Sequence, residues 1–262
     1  MIKAVFLLGN KYVSNNRGLA LLSIFAVLYT VLRLIPTFPM IGATGTFSAS
    51  DVVAPLYGLL LGPYIGGGSI ILGTFLSIVF GRPAIFLGLD FLPAFLGAIT
   101  LGLLAKQRFR LVTIIFALLI LLFLINPLTL LFVNLPYGFV IPFNWLHILA
   151  FALLLSPLSK KALNWITNSE PKYLPQGLLI FLFIGTMIQH LTGTLLFEFV
   201  FGSLLGNISQ DSWPSVWTTI FFLYPVERII ITILATIVGS ALITTLGISS
   251  ESIKSLYHRK KY

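Results

Sequence analysis

The stretch SASDVVAPLYGLLLGPYIGGG, residues 48–68, decides how this chain folds. Read only for its hydrophobicity, it is part of one long helix. Read with its aspartate, its Gly62-Pro63 pair and its glycine run, it is two helices and a turn. Proline cannot donate to the helical hydrogen-bond ladder, and glycine adopts turn backbone at little cost. Ser48, Ser50 and Asp51 stand before the apolar run as a helix-capping sequence. We expect one short helix over 52–62, capped by Asp51, and a second over 64–80.

Working outward, the rest of the chain is as apolar. Its 262 residues are 58% hydrophobic and only 9% charged, with a mean hydropathy of +1.03. Soluble domains carry about 25% charged residues. Runs of about 20 apolar residues are long enough to span a bilayer. The expectation is an all-α integral membrane protein, a polytopic helical bundle forming a single transmembrane domain over 1–262. Its place is then the cell membrane, multi-pass, with lipid around it. The absence of cysteine excludes disulfides and thiolate metal sites. The net charge of +9 comes from residues that flank apolar runs. No basic face with interleaved aromatics suggests nucleic acid, so the charge is read as setting membrane orientation.

About eight transmembrane helices are expected, over 18–36, 52–62, 64–80, 85–105, 111 to 126 or 133, 143–158, 175–202 and 216–246. With both termini cytoplasmic, Arg17, the cluster Lys106, Arg108 and Arg110, the cluster Lys160, Lys161 and Lys172, and the terminal lysines and arginines all fall inside. Thirteen of the 16 basic residues obey that one topology. A single span over 52–80 would reverse everything downstream. Trp145, Trp213 and Trp217 then belong to the outer interface and Trp165 to the inner one.

Ionisable groups inside spans are costly and usually face a cavity or one another. Asp51 and Asp90, His147 on the sixth span, Gln189, His190 and Glu198 on the seventh, and Glu227 with Arg228 on the eighth all fall in the outer half. His190, Thr194 and Glu198 share one helix face by their spacing of four. These residues are the candidate substrate-binding set, in an outward-open pocket for a small polar solute. The bland reading is that they pair with each other as internal glue, or that Asp51 only caps. Arg82, Arg228 and the histidines would suit a carboxylate, and the acids an amine, so charge does not decide the ligand. His147 and His190 lack the spacing of a metal site, and no phosphate-binding loop or hydrolase motif occurs. The expectation is a protein that is not an enzyme, with no cofactor and no ATPase site of its own. Gly58, Gly62 and Gly66, spaced by four, mark a face for close helix contact.

The run from Asp51 to Gly67 resembles the second and third helices of S-components, the substrate-capturing subunits of energy-coupling factor (ECF) transporters. Residues 91–106, FLPAFLGAITLGLLAK, look like that family's following helix, and residues 21–36 are similar in style to its first. The likeness covers about residues 18–106. It implies a six-helix S-component-like core with two further helices here. It also implies a solute-binding subunit for vitamin-like uptake, partnered by a transmembrane coupling subunit and ABC-type ATPases. The loop over 37–50 would be a lid over the pocket. The family's first helix docks on its coupling subunit through small residues; the corresponding positions here are Ser23 and Val27, with Ala26 and Thr30 as a second pair one turn along. Two other readings stay open: a stand-alone ion-coupled secondary transporter using Asp90, Glu198 or Glu227, and a non-transporting subunit of a larger membrane complex.

Overall fold

A computed structural model describes residues 15–167 and 172–245. The expected cytoplasmic termini, with Lys3, Lys11 and the basic C-terminal residues, lie outside them. The described chain is helical, with two short antiparallel hairpins, β1–β2 (Pro36–Pro39 with Thr46–Ser48) and β3–β4 (Phe132–Asn134 with Val140–Pro142). The helices are α1 (Asn15–Leu34), α2 (Ser50–Val79), α3 (Leu92–Ala105), α4 (Phe109–Ile125), α5 (Trp145–Leu155), α6 (Pro157–Thr167), α7 (Leu174–Phe197) and α8 (Trp213–Thr245). A π-helical turn over Glu198–Leu204 extends α7.

Four helical segments are long and apolar enough to cross a membrane: Asn16–Leu34, Ser50–Val79, Leu174–Leu204 and Gln210–Thr245. The second is not a straight rod. At Gly62 the backbone leaves the helix (φ 80°, ψ 169°). In a straight helix nine residues span about 13.5 Å. Yet a Cβ on Gly66 would lie 2.5 Å from the carbonyl oxygen of Tyr57. The arms 50–61 and 63–79 therefore fold back on one another. At the far end Arg82 donates to the carbonyls of Thr46 and Phe47, before the first arm begins. A glycine at the turn, and a proline whose missing N–H costs nothing at the start of a new helix, produce this hairpin.

Small residues then let the hairpin pack tightly. A Cβ on Gly58 would meet Ala98 O at 1.7 Å, one on Gly102 would meet Pro63 N at 2.5 Å, and one on Gly73 would meet Ala26 O at 2.6 Å. These approaches lock α1, both arms of α2 and α3 around Tyr29, Tyr57 and Ile70. The rest of the core is built on α7, whose Phe181, Ile184 and Ile188 are fully buried. Large apolar side chains also point outward, among them Ile24 and Val27 on α1, Leu118 and Leu121 on α4, and Ile233 and Ile237 on α8. So much exposed apolar surface suits lipid rather than water.

Several expected boundaries change. Helix α3 begins at Leu92, so Asp90 precedes it instead of lying one turn inside. The reason is local: the Asp90 carboxylate accepts the backbone N–H groups of Ile85 and Phe86, at 2.9 and 3.1 Å, and so fastens a loop. Asp51 is not the N-cap of α2; Ala49 holds that position, and Asp51 sits in the first turn. The span expected over 143–158 is an 11-residue helix, about 16 Å long at 1.5 Å per residue. It breaks at Ser156 and turns by 72° into α6. Helix α6 was not expected as a helix; its apolar side packs on α7 while Lys160 and Lys161 stay exposed. Trp213 and Trp217, expected at the outer interface, are buried within the chain, with rings edge-on to Phe143 and Phe197.

Candidate functional site: a lidded polar cavity

The β1–β2 hairpin, the first arm of α2, the loop before α3, and helices α7 and α8 enclose a cavity of about 120 Å³. It lies at the end of the bundle away from the Gly62 turn. The basic turn between α3 and α4 is at that opposite end, where Lys106 sits 5.3 Å over the ring of Tyr64. Met40, Thr46 and Phe47 bring the hairpin over the cavity, which is where the lid was expected.

Six of the eight candidate residues line it: Asp51, Asp90, Gln189, His190, Glu227 and Arg228. The sequence separates them by up to 177 positions; the α2 hairpin and the antiparallel packing of α7 and α8 bring them together. Asp51 joins two elements. Its Oδ2 accepts the N–H of Ser48 at 3.1 Å, and its Oδ1 accepts Gln189 Nε2 at 2.7 Å. Since a carboxylate only accepts, the Gln189 amide nitrogen must face it, leaving Oε1 turned elsewhere. That oxygen is buried without a partner. Asp90 adds Arg33, 3.6 Å away, to its two backbone donors.

Arg228 is 1% exposed on α8. Its guanidinium stacks 5.1 Å over Phe47 of the lid. Glu227 Oε2 lies 3.6 Å from its Nη2, yet Nε and Nη2 have no hydrogen-bond partner. Arg82 lines the wall as well, held by the Thr46 and Phe47 carbonyls. Burial first, then the like charge of Arg33, lowers its pKa from the ordinary arginine value.

Two candidates sit elsewhere. His147 is fully buried behind His190. Its Nε2 is 3.0 Å from His190 Nδ1, so one ring donates and the other accepts. Both rings stack with Tyr224, whose hydroxyl donates to Phe143 O at 2.8 Å. Glu198 is not part of the cavity wall. Its carboxylate accepts Asn126 Nδ2 and Thr129 Oγ1, each at 2.7 Å, and ties the π-turn to the end of α4. The shared helix face of His190, Thr194 and Glu198 is thus interrupted after Thr194, where the cavity ends.

Sequence reasoning missed Phe47, Tyr224 and Trp217 as wall residues, and Arg33 as a partner for Asp90. Only the placement of Arg33 and Asp90 near two expected outer ends could have hinted at their pairing. The docking positions divide as well. Ser23 and Val27 are exposed, whereas Ala26 and Thr30 are buried against the chain's own α2; Thr30 Oγ1 donates to Ala26 O at 2.8 Å and is 3.1 Å from Gly73 O. The second small pair therefore serves internal packing. Among the described residues no three His, Cys, Asp or Glu side chains converge as metal ligands.

The fold and site define a helical protein with membrane-length apolar helices and a lidded, arginine-lined cavity. No family model, curated protein or solved structure matches this chain.

Proposed function

We propose that the chain is a multi-pass membrane subunit that captures a small solute from outside. It would hand that solute to a separate ATP-driven coupling module, as S-components do. In this reading the two arms of α2 are separate crossings. With α1, α3, α4, α5, α7 and α8 they make eight passes, with both termini inside. The observation that carries it is the cavity: bordered by the β1–β2 hairpin, lined by ionisable groups, and set opposite the basic loops. Glue alone would not leave a buried guanidinium with unused donors beneath a loop. The exposed Ser23–Val27 face of α1 is the proposed surface for the coupling subunit.

The test is purification from native membranes, followed by uptake in reconstituted vesicles. ATPase subunits co-purifying, and uptake that needs ATP, are the expected results. A chain that purifies alone and transports without ATPases contradicts the proposal.

One observation favours a second reading, ion-coupled transport without a motor. Glu198 is a fully buried carboxylate held by two neutral donors, a setting that suits reversible protonation in a membrane protein. Uptake driven by a proton gradient and abolished by Glu198→Gln would select it.

A further inference from the structure

Resting on the solute-capture reading, we infer that the cavity takes a small monocarboxylate built on a single planar ring. Formal charge does not distinguish ligands, since three arginines and three carboxylates line the wall. What distinguishes them is which groups are already spent. Asp51 has one donor on each oxygen, from Ser48 and Gln189. Asp90 holds two backbone N–H groups and Arg33. Glu227 faces the Arg228 guanidinium. Each carboxylate therefore already has at least one cation or donor beside it.

The donors are in the opposite state. Arg228 Nε and Arg33 Nε are buried with no acceptor, and Arg228 Nη2 has only the 3.6 Å ion-pair contact with Glu227. A buried guanidinium missing its acceptors carries a desolvation cost that an incoming oxyanion removes. The planar fork of arginine matches a carboxylate through two parallel bonds. Phe47 already holds the Arg228 guanidinium over its ring, 5.1 Å from the centroid. Gln189 Oε1, the remaining acceptor, is turned toward Gly97 of α3 and offers nothing to a ligand cation.

Size and wall chemistry set the rest. About 120 Å³ is close to the roughly 150 Å³ of an engineered apolar cavity that holds benzene. A single six-membered ring matches that space. Phe197, Trp217 and Tyr224 supply flat apolar walls, which favour a ring over a flexible chain.

The test uses the full-length protein in nanodiscs, with benzoate, benzamide and benzylamine as probes of similar size and different charge. Calorimetric affinity and thermal stabilisation are read. Benzoate is expected to bind at least about tenfold more tightly than benzamide, and benzylamine not to bind. Arg228→Gln is expected to weaken benzoate about 100-fold, in line with the loss of one partner of a buried charged hydrogen bond. Arg228→Lys, which keeps the charge without the fork, should recover part of that. Equal binding of the three probes, a preference for benzylamine, or unchanged benzoate affinity in Arg228→Gln overturns the inference. The probe series uses the unaltered protein, so a variant that fails to fold leaves the test standing. Capture and ATP-dependent uptake of an uncharged solute, with no benzoate binding, sinks this inference and spares the transport reading. Benzoate binding without any uptake does the reverse.

Discussion

Along α7, Gln189 and Glu198 stand about two and a half turns apart, and they belong to two buried polar clusters that use their hydrogen bonds differently. Around Glu198 both carboxylate oxygens are taken, by Asn126 and Thr129, and the arginine-lined cavity does not reach them; Thr129 borders a separate small pocket beside Trp213. Around Gln189 and Arg228 an amide oxygen and guanidinium donors have no hydrogen-bond partner, on side chains that border the cavity. Both clusters carry the same signature in the sequence: ionisable residues in apolar helices. One is a joint and the other is a vessel. What separates them is not polarity or burial but whether the bonding capacity is already used.

That comparison is open to attack by mutation. The largest effect is expected for Glu198→Ala on stability. Removing the buried carboxylate orphans two partly buried donors and should cost about 2–3 kcal/mol in unfolding free energy. Probe affinity should change less than about threefold; a large loss of binding would merge the two clusters into one site. For Arg228→Gln the pattern should differ: benzoate affinity falls about 100-fold, and loss of the Glu227 ion pair costs about 2 kcal/mol of stability as well. Thermal unfolding with and without benzoate separates the two outcomes.

An intermediate effect is expected at α1, where two faces of one helix can be set against each other. Ala26→Val pushes a methyl-rich side chain against Gly73, and should cost about 1–3 kcal/mol. Val27→Ala, on the exposed side, should stay within about 0.5 kcal/mol. If Val27→Ala instead abolishes co-purification of a partner while leaving unfolding unchanged, the exposed face is a docking surface. A smaller effect than at Glu198 is expected for Thr129→Val, about 1 kcal/mol for one neutral donor lost, with probe binding untouched. Phe47→Ala should leave stability nearly unchanged and speed probe release several-fold, since the lid would lose its stack on Arg228. An unchanged release rate would mean that Phe47 does not close the cavity.

The hairpin at Gly62 was legible in residues 48–68, because Gly-Pro is a local instruction: it removes a donor and permits a turn whatever lies around it. Helices α1, α4, α7 and α8 were legible to within a few residues for a similar reason, their apolar length. The short α5 and its 72° bend were not. An apolar run with Pro157 inside it gives no angle, since the bend follows from how α6 packs on α7. Asp90 read as intrahelical because its neighbours are apolar; only its bonds to Ile85 and Phe86 show that it fastens a loop. The buried tryptophans read as interfacial because nothing local says that Phe143 and Phe197 surround them.

For the site, the sequence by itself named most of the side chains, since ionisable groups in apolar helices stand out against a chain that is only 9% charged. It could not say which of them meet. Asp51 and Gln189 are 138 positions apart, yet bond at 2.7 Å. Glu198 shares a helix face with His190, yet looks into a different cluster. Composition and the Gly-Pro turn are properties of short segments and can be read in one dimension. Which donors remain unused is a property of the whole packed bundle, because a hydrogen bond is spent or spare only once every neighbour is in place.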